Sequence, residues 1–142
     1  SMVAMVNHTL VNGKPLKESI KNGLISNDKL KQIIDRTKKG GAEIVKYLQK
    51  GSAFYAPAAS GVEMAESYLK DLKKELPCAA HLDGQYGVKN IYAGVPVIIG
   101  KNGVEKIIEL KLDDKEKENF QNSINSVKEL FEAAKKIDSS LT

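Results

Sequence analysis

The order in which hydrophobic periodicity changes along the chain predicts an α+β fold, with long helices packed on a small antiparallel sheet and a carboxy-terminal helix. Apolar residues recur at three- and four-residue steps from Leu30 to Leu48 and again from Phe120 to Ala134, the period of a helix face. Between them, from Glu75 to Leu110, the period becomes extended and a Gly-Lys-Asn-Gly turn folds the chain back on itself. Helices followed by adjacent antiparallel strands, rather than strictly alternating with them, belong to the α+β class.

Each element has its own signal. Val3 to Val11 alternates loosely and carries β-branched residues, so it reads as a strand or extended segment, and Asn12-Gly13-Lys14-Pro15 turns it. Leu16 to Gly23 reads as a short helix, with Asn22-Gly23 as its carboxy-terminal cap. Ser26 is an N-cap for the long helix that follows, whose stripe is Leu30, Ile33, Ile34, Thr37, Gly41, Ile44, Val45 and Leu48. Gly40-Gly41 inside it marks a bend or a close approach by another backbone, and Gly51 ends it. A second helix is expected from Phe54 to Lys73, with Pro57 tolerated in its first turn. Met64, Ala65, Tyr68, Leu69 and Leu72 read as its core face. Pro77 to Leu82 and Ile91 to Ile99 are strands, and Gly100 to Gly103 is a hairpin turn returning the chain through Val104 to Leu110. Asp113 with Glu116 has capping-box spacing and opens a last helix with the stripe Phe120, Ile124, Val127, Leu130, Phe131 and Ala134.

Composition narrows the function classes. The 142 residues suffice for one domain with its own core, and 42% hydrophobic with 28% charged residues is ordinary for a soluble protein. No apolar run approaches the ~18–20 residues of a membrane span. The amino terminus lacks the pattern of a signal peptide, and one cysteine, Cys78, suits a reducing compartment, so a cytoplasmic protein is expected. The net charge of +4 is nearly all lysine, interleaved with Glu and Asp on helix faces; Arg36 is the only arginine. Nucleic-acid sites favour arginine and stacking aromatics, so this charge reads as a solvated surface. The same shortage leaves the chain poorly equipped to grip a dicarboxylate, which prefers a guanidinium fork.

Constellations for chemistry are mostly missing. The sequence has no Gly-x-Gly-x-x-Gly, no phosphate-binding loop, no Cys-x-x-Cys and no His-Glu-x-x-His. His8 and His81 are too few for a metal site and read as surface or satisfied core residues. Cys78 reads as a buried, inert thiol, and Asp113-Asp114 as a helix cap rather than an acid pair. The stretch Lys50 to Ser60, with small residues at Ala53, Ala56, Ala58 and Ala59, serves either as a tight helix junction or as a ligand-facing helix start. Periodicity favours the junction.

That stretch also carries a resemblance. Gly40-Gly41-Ala42-Glu43-Ile44-Val45, followed by Lys50-Gly51-Ser52-Ala53-Phe54-Tyr55-Ala56-Pro57-Ala58, resembles the lactate/malate dehydrogenase superfamily in its malate-specific branch. Met64 to Asp71, Pro77 to Ala80, Gly94 to Gly100 and Gly103-Val104-Glu105 are similar to the same branch. The resemblance covers essentially the whole chain. It implies that residues 1–142 are the carboxy-terminal, substrate-side domain, with the NAD-binding Rossmann domain absent. The intact enzyme would transfer hydride between malate and NAD, giving oxaloacetate, in the tricarboxylic acid cycle. It would do so as a homodimer or homotetramer in the bacterial cytoplasm, with the mitochondrial matrix as the alternative. The chain's partners would be malate or oxaloacetate and its own amino-terminal domain, with no metal, nucleic acid or membrane.

Carried over by position, Ala53 falls in the substrate pocket and Pro57 beside the nicotinamide, while Ser1 to Val3 flank the catalytic loop. Ala4 stands where the family usually has proline. The family's catalytic histidine lies in a His-Gly-Asp-[Ser/Thr]-Met-Val signature, just upstream of Ser1-Met2-Val3. No catalytic residue is therefore assigned, a cut or proteolytic clip is expected there, and the chain alone is expected to be inactive. Two other readings remain: a free-standing α+β oligomerisation or interaction domain, and half of another 2-hydroxy acid dehydrogenase such as a lactate dehydrogenase.

Overall fold

The computed structural model describes residues 2–138, 140 and 141, in two compact units, Met2–Phe54 and one that begins at Tyr55. The first unit opens on a 3-10 turn, Val6–His8, followed by the short strands β1 (Leu10–Val11) and β2 (Lys14–Pro15). These pair antiparallel, Leu10 with Pro15 and Val11 with Lys14. Asn12 and Gly13, at φ 50° and 76°, form the two-residue turn that suits the right-handed twist of a hairpin. The strand or extended segment expected over Val3 to Val11 is strand only at Leu10–Val11 and is broken by the 3-10 turn at Val6–His8, held by the Thr9 hydroxyl, which donates to the Met5 carbonyl at 2.8 Å.

Helix α1 (Leu16–Lys21) closes as the sequence predicts. Gly23 is left-handed at φ 71°, its N–H donates to the Ile20 carbonyl, and the Leu24 N–H donates to the Ser19 carbonyl. Those two bonds satisfy carbonyls the helix would otherwise leave bare. Helix α2 (Asn27–Leu48) starts under Ser26, whose Oγ accepts the Lys29 N–H at 3.1 Å. It runs 22 residues without interruption through Gly40-Gly41. Among the described residues nothing approaches closely there, since a Cβ added at either glycine would meet no atom within 4 Å. The helix ends before Gly51, at Gln49, which is itself left-handed at φ 59°. No residue of α2 is buried.

In the second unit, helix α3 (Tyr55–Leu69) stops four residues short of the expected Lys73. Asp71 and Lys73 are left-handed, at φ 51° and 53°, which no helix can continue through. Its expected core face is a correction: Met64, Ala65, Tyr68, Leu69 and Leu72 are all exposed, and Ser67 is the buried residue. The sheet is β3 (Lys74–Asp83), β4 (Lys89–Gly100) and β5 (Gly103–Ile107), antiparallel in that order. Both expected strands lie inside longer ones, because Glu75 and Leu76 pair with Ile98 and Val97 beyond the stretch that sequence pattern marks. The hairpin turns at Lys101-Asn102, with Gly103 at φ 86°.

One face of the sheet makes the core. Cys78, Ala80 and Leu82 of β3 and Ile91, Ala93, Val95, Val97 and Ile99 of β4 alternate inward, against Ile124 of helix α4 (Asp114–Ile137). Asp113 and Glu116 form the expected capping box, each side chain accepting the other's backbone N–H, at 2.8 and 3.1 Å. The predicted stripe of α4 divides. Phe120, Ile124 and Val127 pack on the sheet, whereas Leu130 and Phe131 remain exposed.

Candidate functional site

The two residues assigned to substrate and cofactor lie in the stretch from Gln49 to Ser60. After the left-handed Gln49, Gly51 adopts φ 87°, a conformation that suits a residue without Cβ. Ala53 follows in irregular chain, half-buried, and belongs to the first unit. Pro57 sits in the first turn of α3, exposed, and belongs to the second unit. Its missing N–H costs the helix nothing at that place. The neighbouring Ala56, Ala58, Ala59, Ser60 and Gly61 are exposed too, so the first turns of α3 present a smooth, small-residue surface. Of the residues expected to flank a catalytic loop, Met2 is exposed and Val3 half-buried, while Ser1 lies outside the described residues.

Two hydroxyls, one buried and one half-buried, position α3 and the start of α4 against the sheet. Ser67 Oγ donates to the Ile99 carbonyl at 2.7 Å and accepts the Lys74 N–H at 3.2 Å. This one atom ties α3 to β4 and to the first residue of β3. Tyr86 does the same at the other end. Its hydroxyl donates to the Ile108 carbonyl at 2.7 Å and accepts the Leu110 N–H at 2.9 Å, and its ring lies 5.0 Å from that of Phe120. Burial pushes the Tyr86 hydroxyl above its usual range, against the Leu110 N–H, which favours the ionised form. At the hairpin, the Glu105 and Asp71 carboxylates close over Gly100: a Cβ there would lie 2.5 Å from Glu105 Oε1 and 2.8 Å from Asp71 Oδ1, so those side chains would have to shift. Asp71 accepts the Lys101 N–H at 3.0 Å and Lys73 lies 3.6 Å from Glu105, so the left-handed residues that end α3 also brace the turn.

The polar residues read from sequence as structural hold that role. His8 is exposed at the end of the 3-10 turn. His81 is exposed on β3, its ring edge-on to its cross-strand partner Tyr92 at 5.3 Å. Cys78 is buried, and desolvation raises its thiol above the ordinary value, which makes it a poor nucleophile. Arg36 is paired with Glu43 on α2 through two bonds of 3.0 and 3.1 Å, which hold the Glu43 carboxyl below its usual range. Among the described residues no cluster of His, Cys, Asp and Glu is placed to hold a metal, and no helix is long and apolar enough to cross a membrane. Sequence reading missed the roles of Ser67 and Tyr86. Neither carried a local signal, because the carbonyls they hold lie 32 and 22 positions away.

A family model, the lactate/malate dehydrogenase alpha/beta C-terminal domain, matches residues 1–138. The malate dehydrogenase of Pelagibacter ubique is 64% identical over 142 residues, all of this chain and 44% of that protein. That of Caulobacter vibrioides is 58% identical over 140 residues, 99% of this chain and 44% of the relative. Among solved structures, a lactate dehydrogenase from Eimeria maxima with NADH and oxamate superposes with a TM-score of 0.91 at 44% identity. It covers 95% of this chain and 42% of that one. The malate dehydrogenase of Cryptosporidium parvum gives 0.90 at 44% identity, over 93% of this chain and 42% of its own. The chain spans less than half the length of the relatives it matches.

Proposed function

Because the chain belongs to the lactate/malate dehydrogenase family, as its alpha/beta C-terminal domain, we propose that it is the substrate-side domain of an NAD-dependent malate dehydrogenase. The observation that carries this reading is the 64% identity to a malate dehydrogenase over the full 142 residues. A solved lactate dehydrogenase shares the fold as closely as a malate dehydrogenase does, at 44% identity each, so shape does not separate the two substrates. Sequence favours malate.

The division of labour follows from which groups the chain contains. Malate and oxaloacetate each carry two carboxylates, and recognising them calls for arginine forks. The single arginine, Arg36, is engaged with Glu43. The proton-transferring histidine and aspartate, the substrate arginines and the dinucleotide fold are therefore assigned to an amino-terminal domain of the same enzyme, this domain's first partner. NAD, when bound there, supplies the hydride acceptor.

The residues here fit one part of that cofactor. The exposed Pro57 and the small side chains around it offer an apolar surface against which a flat nicotinamide ring could lie without meeting a charge. They do not fit the pyrophosphate, which needs a glycine-rich turn at a helix start. Ala53, half-buried and with no polar side-chain atom, shapes the substrate pocket by its size and its backbone. Together these residues position and exclude water; they move no proton.

The reading extends to oxidation of malate in the tricarboxylic acid cycle, to a homodimer or homotetramer, and to a reducing compartment suited to a lone thiol. That compartment is the bacterial cytoplasm or, as the alternative, the mitochondrial matrix. The test is a chimera in which this chain replaces the matching domain of the Pelagibacter ubique enzyme. Malate-dependent NADH formation within about tenfold of the parent, falling by roughly tenfold or more on Ala53→Leu, is expected. A folded chimera that binds NAD but turns over no malate overturns it.

A further inference from the structure

We propose that Ser67 is a positioning residue for hydride transfer: through one buried hydroxyl it fixes the direction in which α3 carries Pro57 toward the nicotinamide. The proposal rests on the reading of this chain as the substrate-side domain of a malate dehydrogenase, and adds a residue that acts on the reaction only through another.

Helix α3 is held at one end. From Tyr55 to Ala65 every residue is exposed, Glu66 is half-buried, and Ser67 is the one buried residue of the fifteen. Two ion pairs also cross from α3 to the sheet, Lys74 with Glu63 at 3.4 Å and with Glu66 at 3.9 Å. Their side chains are 38 to 51% exposed, so they hold the helix weakly. Burial and hydrogen bonding meet instead in one atom, Ser67 Oγ. It donates to the Ile99 carbonyl at 2.7 Å and accepts the Lys74 N–H at 3.2 Å. Lys74 and Ile99 are cross-strand partners at the end of the β3–β4 ladder, so the hydroxyl stands as an extra rung between them. The register of β4 with β5 shifts at the same place, between Ile98 and Ile99.

Two features set this serine apart from a helix-surface one. A serine inside a helix commonly turns its hydroxyl back to a carbonyl one turn earlier, whereas this one reaches 32 positions along the chain. Its main chain ends the helix as well, its carbonyl accepting the Leu72 N–H at 2.9 Å. Ser67 thus fixes both where α3 stops and how it leans on the sheet.

Length turns that anchor into leverage. Pro57 lies ten residues before Ser67, about 15 Å along the axis of an α-helix. A tilt of about 5° at Ser67 moves Pro57 by about 1.3 Å. A misplacement of about 1 Å can cost roughly a hundredfold in rate. Since the first turns of α3 are exposed, the anchor sets their direction.

The test compares Ser67→Ala with Ile124→Ala, a core variant on α4, in the chimera with the Pelagibacter ubique enzyme. Spin labels at Ser60→Cys on α3 and Lys106→Cys on β5, both exposed positions, report the distance from helix to sheet, while Cys78 is buried. Ser67→Ala is expected to shift or broaden that distance by about 1–3 Å, and Ile124→Ala to leave it unchanged. With malate, Ser67→Ala is expected to lower kcat roughly tenfold while the KM for NAD stays within about twofold. The deuterium isotope effect of malate labelled at C2 is expected to rise with it. Loss of folded enzyme alone scales kcat and leaves that isotope effect where it was, the behaviour expected of Ile124→Ala. An unchanged label distance in Ser67→Ala overturns the proposal. So does a shifted distance with kcat unaltered, or a kcat loss that Ile124→Ala matches with the isotope effect unmoved in both. A folded chimera that turns over no malate, with the label distance shifted, overturns the malate reading and leaves Ser67 as the anchor of α3 alone.

Discussion

The sheet of the second unit and helix α2 of the first are written in the same kind of code and come out opposite. In β4 every second residue from Ile91 to Ile99 is buried, because Ile124 and its neighbours on α4 supply the other side. In α2 the apolar residues recur as regularly, and none is buried. Periodicity says which face is apolar; it does not say where the covering atoms come from. In the sheet they come from the same chain. Ile33, Ile44, Val45 and Leu48 of α2 stay exposed instead, as do Met64, Tyr68 and Leu69 of α3 and Leu130 and Phe131 of α4.

Four measurements break or sharpen this contrast. The largest effect is expected from Leu82→Ala or Ile124→Ala, each almost fully buried. Each should lower the unfolding free energy by about 2–5 kcal/mol in urea titrations. Ile33→Ala in dilute chain should change it by less than about 0.5 kcal/mol. Equal losses at the two places would mean that α2 is covered after all.

Next comes Ser67→Ala, which strips the partner from a carbonyl of β4 and an N–H of β3 without opening a large cavity. A loss of about 1–3 kcal/mol is expected, with faster amide exchange at Lys74. An unchanged Lys74 amide would show that the hydroxyl is not what joins α3 to the sheet.

Gly41→Ala acts in the opposite direction. The added methyl meets no atom within 4 Å and Gly41 keeps a helical φ, so α2 should gain about 0.5–1 kcal/mol and melt higher by circular dichroism. A loss would reveal a close neighbour on that side of the helix.

The smallest effect is the pH dependence of the Arg36–Glu43 pair. Arg36 holds the Glu43 carboxyl below its ordinary 4.5, so the folded helix binds this proton less readily than the unfolded chain. The pair's contribution is present above 4.5 and is lost as pH falls through the depressed value. Helicity should drop modestly over that acid window at low salt and lose the step in Glu43→Gln. An identical step in that variant would assign it to another carboxylate.

How much of this was legible in the sequence depended on whether the deciding interaction was local. The capping box at Asp113 and Glu116, the Asn22-Gly23 cap and the Gly100-to-Gly103 hairpin were readable because their partners lie within a few residues. The strand or extended segment over Val3 to Val11 held only in part, at Leu10–Val11, and the helix to Lys73 was misread. A threonine hydroxyl bonded back to Met5 bent the first, and Asp71 and Lys73, in a region that favours glycine, ended the second. For the candidate site, Ala53 and Pro57 could be placed by resemblance alone, since neither carries a polar side-chain atom for chemistry to reveal.

The sequence by itself determined the class of fold, the places where helices start and strands turn, and the family. These follow from short-range sterics, capping bonds and periodicity, all written within a few residues of where they act. Only the tertiary structure decided which apolar faces are core and which stay open. The same applies to the reach of Ser67 and Tyr86 across 32 and 22 positions to the carbonyls they hold. Burial and hydrogen bonding are properties of pairs of surfaces, and a single stretch of sequence specifies only one surface of each pair.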